Sequence, residues 1–148
     1  MKYGKQSISS SMKISLDTNI FVAGIQKTNR WCCYVVDHLY QLKDELLLPV
    51  IVEKEVCRNL TLQDARLFHQ MLRLLDYPVD YELPPPEFVC KYHQLGLKKG
   101  DMLIGAFCEF RHIEYFVSEN RHFLKELHTD AFTVINAETF LTHIRKID

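Results

Sequence analysis

Short apolar runs alternate with longer segments of helical period along this chain, and that alternation restricts the folds open to it more than any single motif. Residues 13–16 read as a buried strand, and 29–44 carry Trp31, Val35, Leu39 and Leu42 at helical spacing. A second strand over 46–48 is closed by Pro49, and a helix follows over 50–59. Thr61 is placed to cap the next helix, through Leu67, Met71, Leu74 and Leu75. The prolines at 84–86 forbid a helix and force an extended connection after a short strand over 79–83. Helices over 87–95 and 101–110, a strand over 113–117, a short helix over 121–127, a strand over 132–135 and a helix over 137–144 complete the pattern. Strands that alternate with helices pair in parallel and need helical cover on both faces, so the expected fold is α/β with a central parallel sheet.

At 148 residues the chain suffices for one core. Residues 1–11 are polar and Ser-rich, read as a flexible N-terminal extension, and lack the apolar middle of a secretory signal; a single domain is expected over 12–148. The longest uncharged apolar run falls far short of the roughly 20 residues that span a bilayer, so no membrane partner is expected. Five cysteines without a C-x-x-C pair read as small buried hydrophobes in a reducing cytoplasm rather than as a disulfide framework, and seven histidines without H-x-x-x-H or Cys/His ligand spacing argue against a structural zinc. With a net charge of -1 and a pI near 6.6, the chain carries no global basic field, and a nucleic acid would have to be held by a local patch.

In open parallel sheets ligands gather at the carboxyl ends of the strands. Asp17 stands directly after the first strand, Glu55 within the helix after the second, Asp101 at the start of a helix, and Asn120 in the turn after the strand ending at 117. Each has an ordinary structural use: Asp17 can cap a helix and Asp101 can complement a helix dipole. Together, clustered carboxylates repel and are costly to desolvate, which a cation relieves. Oxygen donors without sulfur or imidazole suit Mg²⁺ or Mn²⁺, and such an ion can activate water for attack on a phosphodiester. Thr18 and Ser118 bring hydroxyls beside these groups, and Lys98, Lys99, Arg121, His122 and Lys125 could form a cationic rim for a phosphate backbone.

LDTNIFVAG, PVIVEKEVCRNL, LKKGDMLIGAF and FVSENRHF, in this order and at these separations, resemble the four signature blocks of the PIN-domain family, over nearly the whole chain from residue 12 to about 144. The first and third blocks are the specific ones. The resemblance implies a three-layer α/β/α sandwich and a Mg²⁺- or Mn²⁺-dependent endoribonuclease; small members are often VapC-like toxins of VapBC-type toxin–antitoxin pairs. It carries the metal carboxylates onto Asp17, Glu55 and Asp101, with Glu53 as competitor for the second place. Asn120 falls where the family often has a fourth carboxylate, so one negative charge is lost unless Glu119 replaces it. It further implies tRNA or rRNA as substrate, a small antitoxin as partner and a homodimer. A non-catalytic or weakly active RNA-binding module and a solitary RNA-processing nuclease are the alternatives.

Overall fold

The buried triplet Ile14–Leu16 forms β1, and every other strand is arranged around it. The computed structural model describes residues 12–146, so the expected extension over 1–11 lies outside the described residues. In chain order follow α1 (Thr18–Gln26), α2 (Arg30–Asp37), β2 (Leu46–Pro49), α3 (Val50–Arg58), α4 (Leu62–Leu74), β3 (Val79–Asp80), α5 (Pro86–Gln94), α6 (Lys99–Phe110), β4 (Tyr115–Val117), β5 (Thr133–Ile135) and α7 (Ala137–Thr139). The sheet order is β3-β2-β1-β4-β5, and every pairing is parallel. Helices cover both faces, giving the expected three-layer α/β/α sandwich.

Two faces of apolar cover explain the strand sequences. β2 and β4 are apolar from end to end rather than alternating, as suits strands covered on both sides, and β1 is buried throughout, its one polar residue, Ser15, donating its hydroxyl to Leu47 O at 3.1 Å. Aromatic rings fill the core: Phe21 meets Phe68 edge-on at 5.3 Å, and Phe116 meets Phe123 at 4.8 Å. Against α1, Gly24 permits a close crossing of α2, because a Cβ there would lie 2.4 Å from Val36 Cγ2.

Local chemistry shortened several expected elements. The single helix expected over 29–44 is two pieces: Asn29 caps α2 by accepting from the Trp31 and Cys32 N–H groups, and the chain leaves helical geometry at His38 before a 3-10 turn over Leu39–Leu42. Thr61 does cap α4, accepting from Asp64 N–H at 3.1 Å. The apolar stripe of α4 is displaced, however: Phe68 and Leu72 are buried, whereas Leu67 and Leu74 are 54% and 79% exposed. The strand expected over 79–83 is only Val79–Asp80. There the Asp80 and Glu82 carboxylates both accept from the Arg111 guanidinium, and the chain leaves the sheet edge. The short helix after β4 is a π-type turn, His122–Glu126, and α7 continues as another, Phe140–Ile144.

Topology fixes where a site can form. From β1 the chain steps one way to β2 and later returns on the other side to β4, so a crevice opens at the carboxyl ends of β1 and β4. Asp17 and Ser118 are the first residues past those two strands.

Candidate metal centre

Asp17 is the N-cap of α1, and its Oδ1 accepts from Thr18 N–H at 2.8 Å. Capping therefore uses one oxygen. The other, Oδ2, accepts from Ser118 Oγ at 2.6 Å, a bond that spans the crevice between β1 and β4. Backbone pairing holds the same join, with Asp17 N–H donating to Val117 O at 2.9 Å. Asp17 is only 3% exposed, and among the described residues no cationic side chain is bonded to it. Burial pushes its carboxyl from the ordinary 3.8 up to about 6; the Ser118 and Thr18 hydrogen bonds oppose this, and the charges of Asp101 and Glu55 add to it.

The other two carboxylates reach the same edge from separate helices. Glu55 Oε1 accepts from Thr18 Oγ1 at 2.7 Å, which ties α3 to the start of α1. Asp101 lies in the first turn of α6, where the helix dipole favours a negative group. Its carboxyl is nevertheless raised, first by burial and then by the Glu55 charge; the His122 charge and a hydrogen bond from Asn120 act the other way. The charges of Glu55 and Asp101 act on Asp17, and that of Glu55 on Asp101, so the three acids occupy one region.

Two glutamates two positions apart on α3 divide cleanly. On a helix, two positions turn the side chain by about 200°, so Glu53 and Glu55 face opposite ways. Glu55 meets Thr18, and Glu53 instead meets His69 and Cys57.

The turn after β4 holds the remaining expected residues. Asn120 N–H donates to Ser118 Oγ at 2.9 Å, and Asn120 Oδ1 accepts from His122 N–H at 2.9 Å. Its carbonyl thus closes the turn while its amide serves Asp101. Glu119, the expected stand-in for a fourth carboxylate, has its Oε2 engaged by Ala137 N–H at the start of α7, at 2.8 Å. Lys98, Lys99, Arg121 and His122 are all exposed. Lys98 and His122 line, with Gly96, Leu97, Asp101 and Glu126, a recess of about 290 Å³ that opens over Asp101. His122 pairs within it to Glu126 Oε1 at 2.9 Å. Lys99 begins α6 at φ 52, a left-handed conformation that costs a lysine of order 1 kcal/mol and is common beside functional sites.

Gly100, in the first turn of α6, shapes the site. A Cβ there would sit 2.2 Å from Glu55 Oε2, so the bare backbone leaves the space that the Glu55 carboxylate fills. A glycine immediately before the helix-opening aspartate was the available signal.

Asp17, Glu55 and Asp101 offer oxygen donors alone, a set that suits hard ions such as Mg²⁺ or Mn²⁺. The buried, proton-raised state of Asp17 is the condition a cation would relieve. Their spacing is looser than a closed cage: among the described residues, only Glu53, Cys57 and His69 bring three donor atoms within 4.8 Å of one another. Mg²⁺ keeps several waters in its shell, so an open set suits it.

No family model and no curated protein matches the sequence. The fold does have a counterpart among solved structures. A chain of the crystal structure of VapBC2 from Rickettsia felis, bound to a DNA fragment from their promoter, is similar with a TM-score of 0.56 over 84% of this chain and 98% of that one, at 17% identity. The fold is PIN-like. At that identity the likeness concerns backbone architecture, and the side-chain geometry above stands on its own. No helix among the described residues is long and apolar enough to cross a membrane.

Proposed function

We propose that this chain is a Mg²⁺- or Mn²⁺-dependent endoribonuclease, and that it serves as the toxin of a VapBC-type toxin–antitoxin pair. The observation that carries the reading is Asp17: a carboxylate buried at the switch point of a parallel sheet, with Glu55 and Asp101 close enough to disturb its ionisation. The likeness to a chain of a VapBC2 complex supports the toxin assignment and a small antitoxin as partner. The five free cysteines fit a reducing cytoplasm.

Asp17, Glu55 and Asp101 would hold the ion, which when bound supplies a water of lowered pKa and positive charge beside the phosphodiester. The chain's own groups preorganise that arrangement. Ser118 Oγ fixes Asp17 Oδ2, Thr18 Oγ1 fixes Glu55 Oε1, and the Asn120 amide orients Asp101. Exposed Lys98, Lys99, Arg121 and His122 take the flanking phosphates of a tRNA or rRNA loop, supplying the local patch that a chain of net charge -1 requires. A homodimer is the expected assembly.

A second reading, a weakly active or non-catalytic RNA-binding module, is favoured by Asn120, whose carbonyl is already engaged by His122 N–H. A solitary RNA-processing nuclease would use the same site without an antitoxin. Labelled tRNA and rRNA are incubated with the purified protein and Mg²⁺ or Mn²⁺, beside EDTA and an Asp17→Asn/Asp101→Asn variant. Cuts that require both the metal and the aspartates are expected. Folded protein that binds Mn²⁺ and RNA but leaves every RNA intact would overturn the nuclease in favour of the binding module.

A further inference from the structure

Glu53, Cys57 and His69 meet on the side of α3 turned away from the acidic centre. Glu53 and Cys57 stand one helical turn apart on α3, and His69 comes from α4. Cys57 Sγ lies 3.4 Å from His69 Nε2 and 3.7 Å from Glu53 Oε2, and His69 Nε2 lies 2.7 Å from Glu53 Oε2. All three residues are half-buried, with a Glu53 side chain only 16% exposed.

The way these atoms meet excludes the obvious catalytic use. A thiol–imidazole–carboxylate relay needs the thiol on one ring nitrogen and the carboxylate on the other, so that the imidazole can pass a proton while its orientation is held. Here sulfur and carboxylate address the same nitrogen, Nε2, which can carry at most one proton and serve one of them. Three donor atoms of three kinds converging on one point is the arrangement a cation requires. Tetrahedral Zn²⁺, with bonds of about 2.0 to 2.3 Å to nitrogen, oxygen and sulfur, sets its ligand atoms about 3.3 to 3.6 Å apart. Both sulfur separations are already near that value. The shorter nitrogen–oxygen separation is a hydrogen bond that opens by a small turn of His69, whose side chain is 43% exposed.

We propose that Glu53 Oε2, Cys57 Sγ and His69 Nε2 form a Zn²⁺ site that pins α3 to α4, with water as the fourth ligand. Cys57 binds as the thiolate and releases its proton to solvent. The mixed sulfur, nitrogen and oxygen set selects Zn²⁺ over the hard ions suited to the acidic centre. Motif spacing missed this site because its ligands follow E-x₃-C-x₁₁-H, with one cysteine, one histidine and a glutamate, and no Cys or His pair.

The test uses the full chain, kept reduced with a phosphine, stripped with a chelator and titrated with Co²⁺ as a spectroscopic stand-in, then with Zn²⁺. One equivalent of Co²⁺ is expected to give a thiolate-to-cobalt charge-transfer band and tetrahedral d–d absorption, both displaced by Zn²⁺. Cys57→Ser abolishes the charge-transfer band, and His69→Gln weakens Co²⁺ binding by roughly tenfold or more. The Asp17→Asn/Asp101→Asn variant retains the band in full, which separates this site from the acidic centre whatever the fate of the nuclease reading. Zn²⁺ raises the unfolding temperature of the wild type and not of His69→Gln, a second readout should Cys57→Ser fold poorly. No band in the wild type, or an unchanged band in folded Cys57→Ser, overturns the proposal and leaves the three residues as a hydrogen-bonded contact between helices.

Discussion

Replacing Asp17 by asparagine is expected to stabilise the metal-free protein at neutral pH while destroying its acidic metal site. Asp17 titrates at about 6 in the folded chain and near 3.8 when exposed. Between those values the folded state binds more protons than the unfolded state, so stability falls as pH rises through the window. At pH 3 and below the carboxyl is almost wholly neutral in both states and the penalty is nearly absent; well above the folded value it is complete. At about 1.4 kcal/mol for each tenfold change in proton affinity, the full penalty is about 3 kcal/mol. Asparagine carries no charge and escapes it. Its single carbonyl can accept from Ser118 Oγ or from Thr18 N–H but not from both, which costs about 1 kcal/mol at every pH. The variant should therefore be about 1 kcal/mol less stable than the wild type at pH 3 and about 2 kcal/mol more stable at pH 8. Urea unfolding followed by circular dichroism in EDTA, from pH 3 to 8, measures the difference. A difference that does not change with pH would refute the reasoning, since the lost hydrogen bond is constant and the ionisation of Asp17 is what makes the difference depend on pH. Saturating Mg²⁺ should reverse the order at pH 8, because it binds the folded wild type alone.

Gly100→Ala should leave the fold intact or raise its stability by about 0.5 kcal/mol, as alanine suits a helix, while the new Cβ evicts the Glu55 carboxylate; Mn²⁺ calorimetry should then show weaker binding. Ser118→Ala removes the hydrogen bond that opposes the burial of Asp17, so the acid limb of the cleavage profile should move to higher pH, read from rate against pH. Asn120→Asp replaces the amide that donates to Asp101 with a like charge; it should tighten Mn²⁺ binding and lower the unfolding temperature of the metal-free protein.

The parallel sheet was legible because short, largely apolar strands at β1, β2 and β4 alternate with longer segments of helical period. Pro49 marked the end of β2 and Thr61 the start of α4, through chemistry that acts within a few residues. The expected strand over 79–83 ended early because Arg111, 31 positions from Asp80, draws Asp80 and Glu82 into ion pairs, and no local pattern encodes so distant a partner. The same limit applies at the site. Asp17 and Asp101 could be placed by their positions relative to a strand end and a helix start. The burial of Asp17, the engagement of Glu119 by Ala137 N–H and the room that Gly100 makes for Glu55 are products of packing between elements.

α3 joins these observations. Its period of 3.6 residues sends Glu55 toward Thr18 and the switch point of the sheet, and Glu53 with Cys57 toward α4. Once Glu55 is tied to α1 through Thr18, that period turns Glu53 to the other side of α3. Val52 and Val56, both fully buried, seat α3 against the core and fix its rotation, so its two polar faces are held in register by the same apolar contact. The clasp of Glu53 and Cys57 with His69 adds a polar tie from α3 to α4 on the side opposite Glu55.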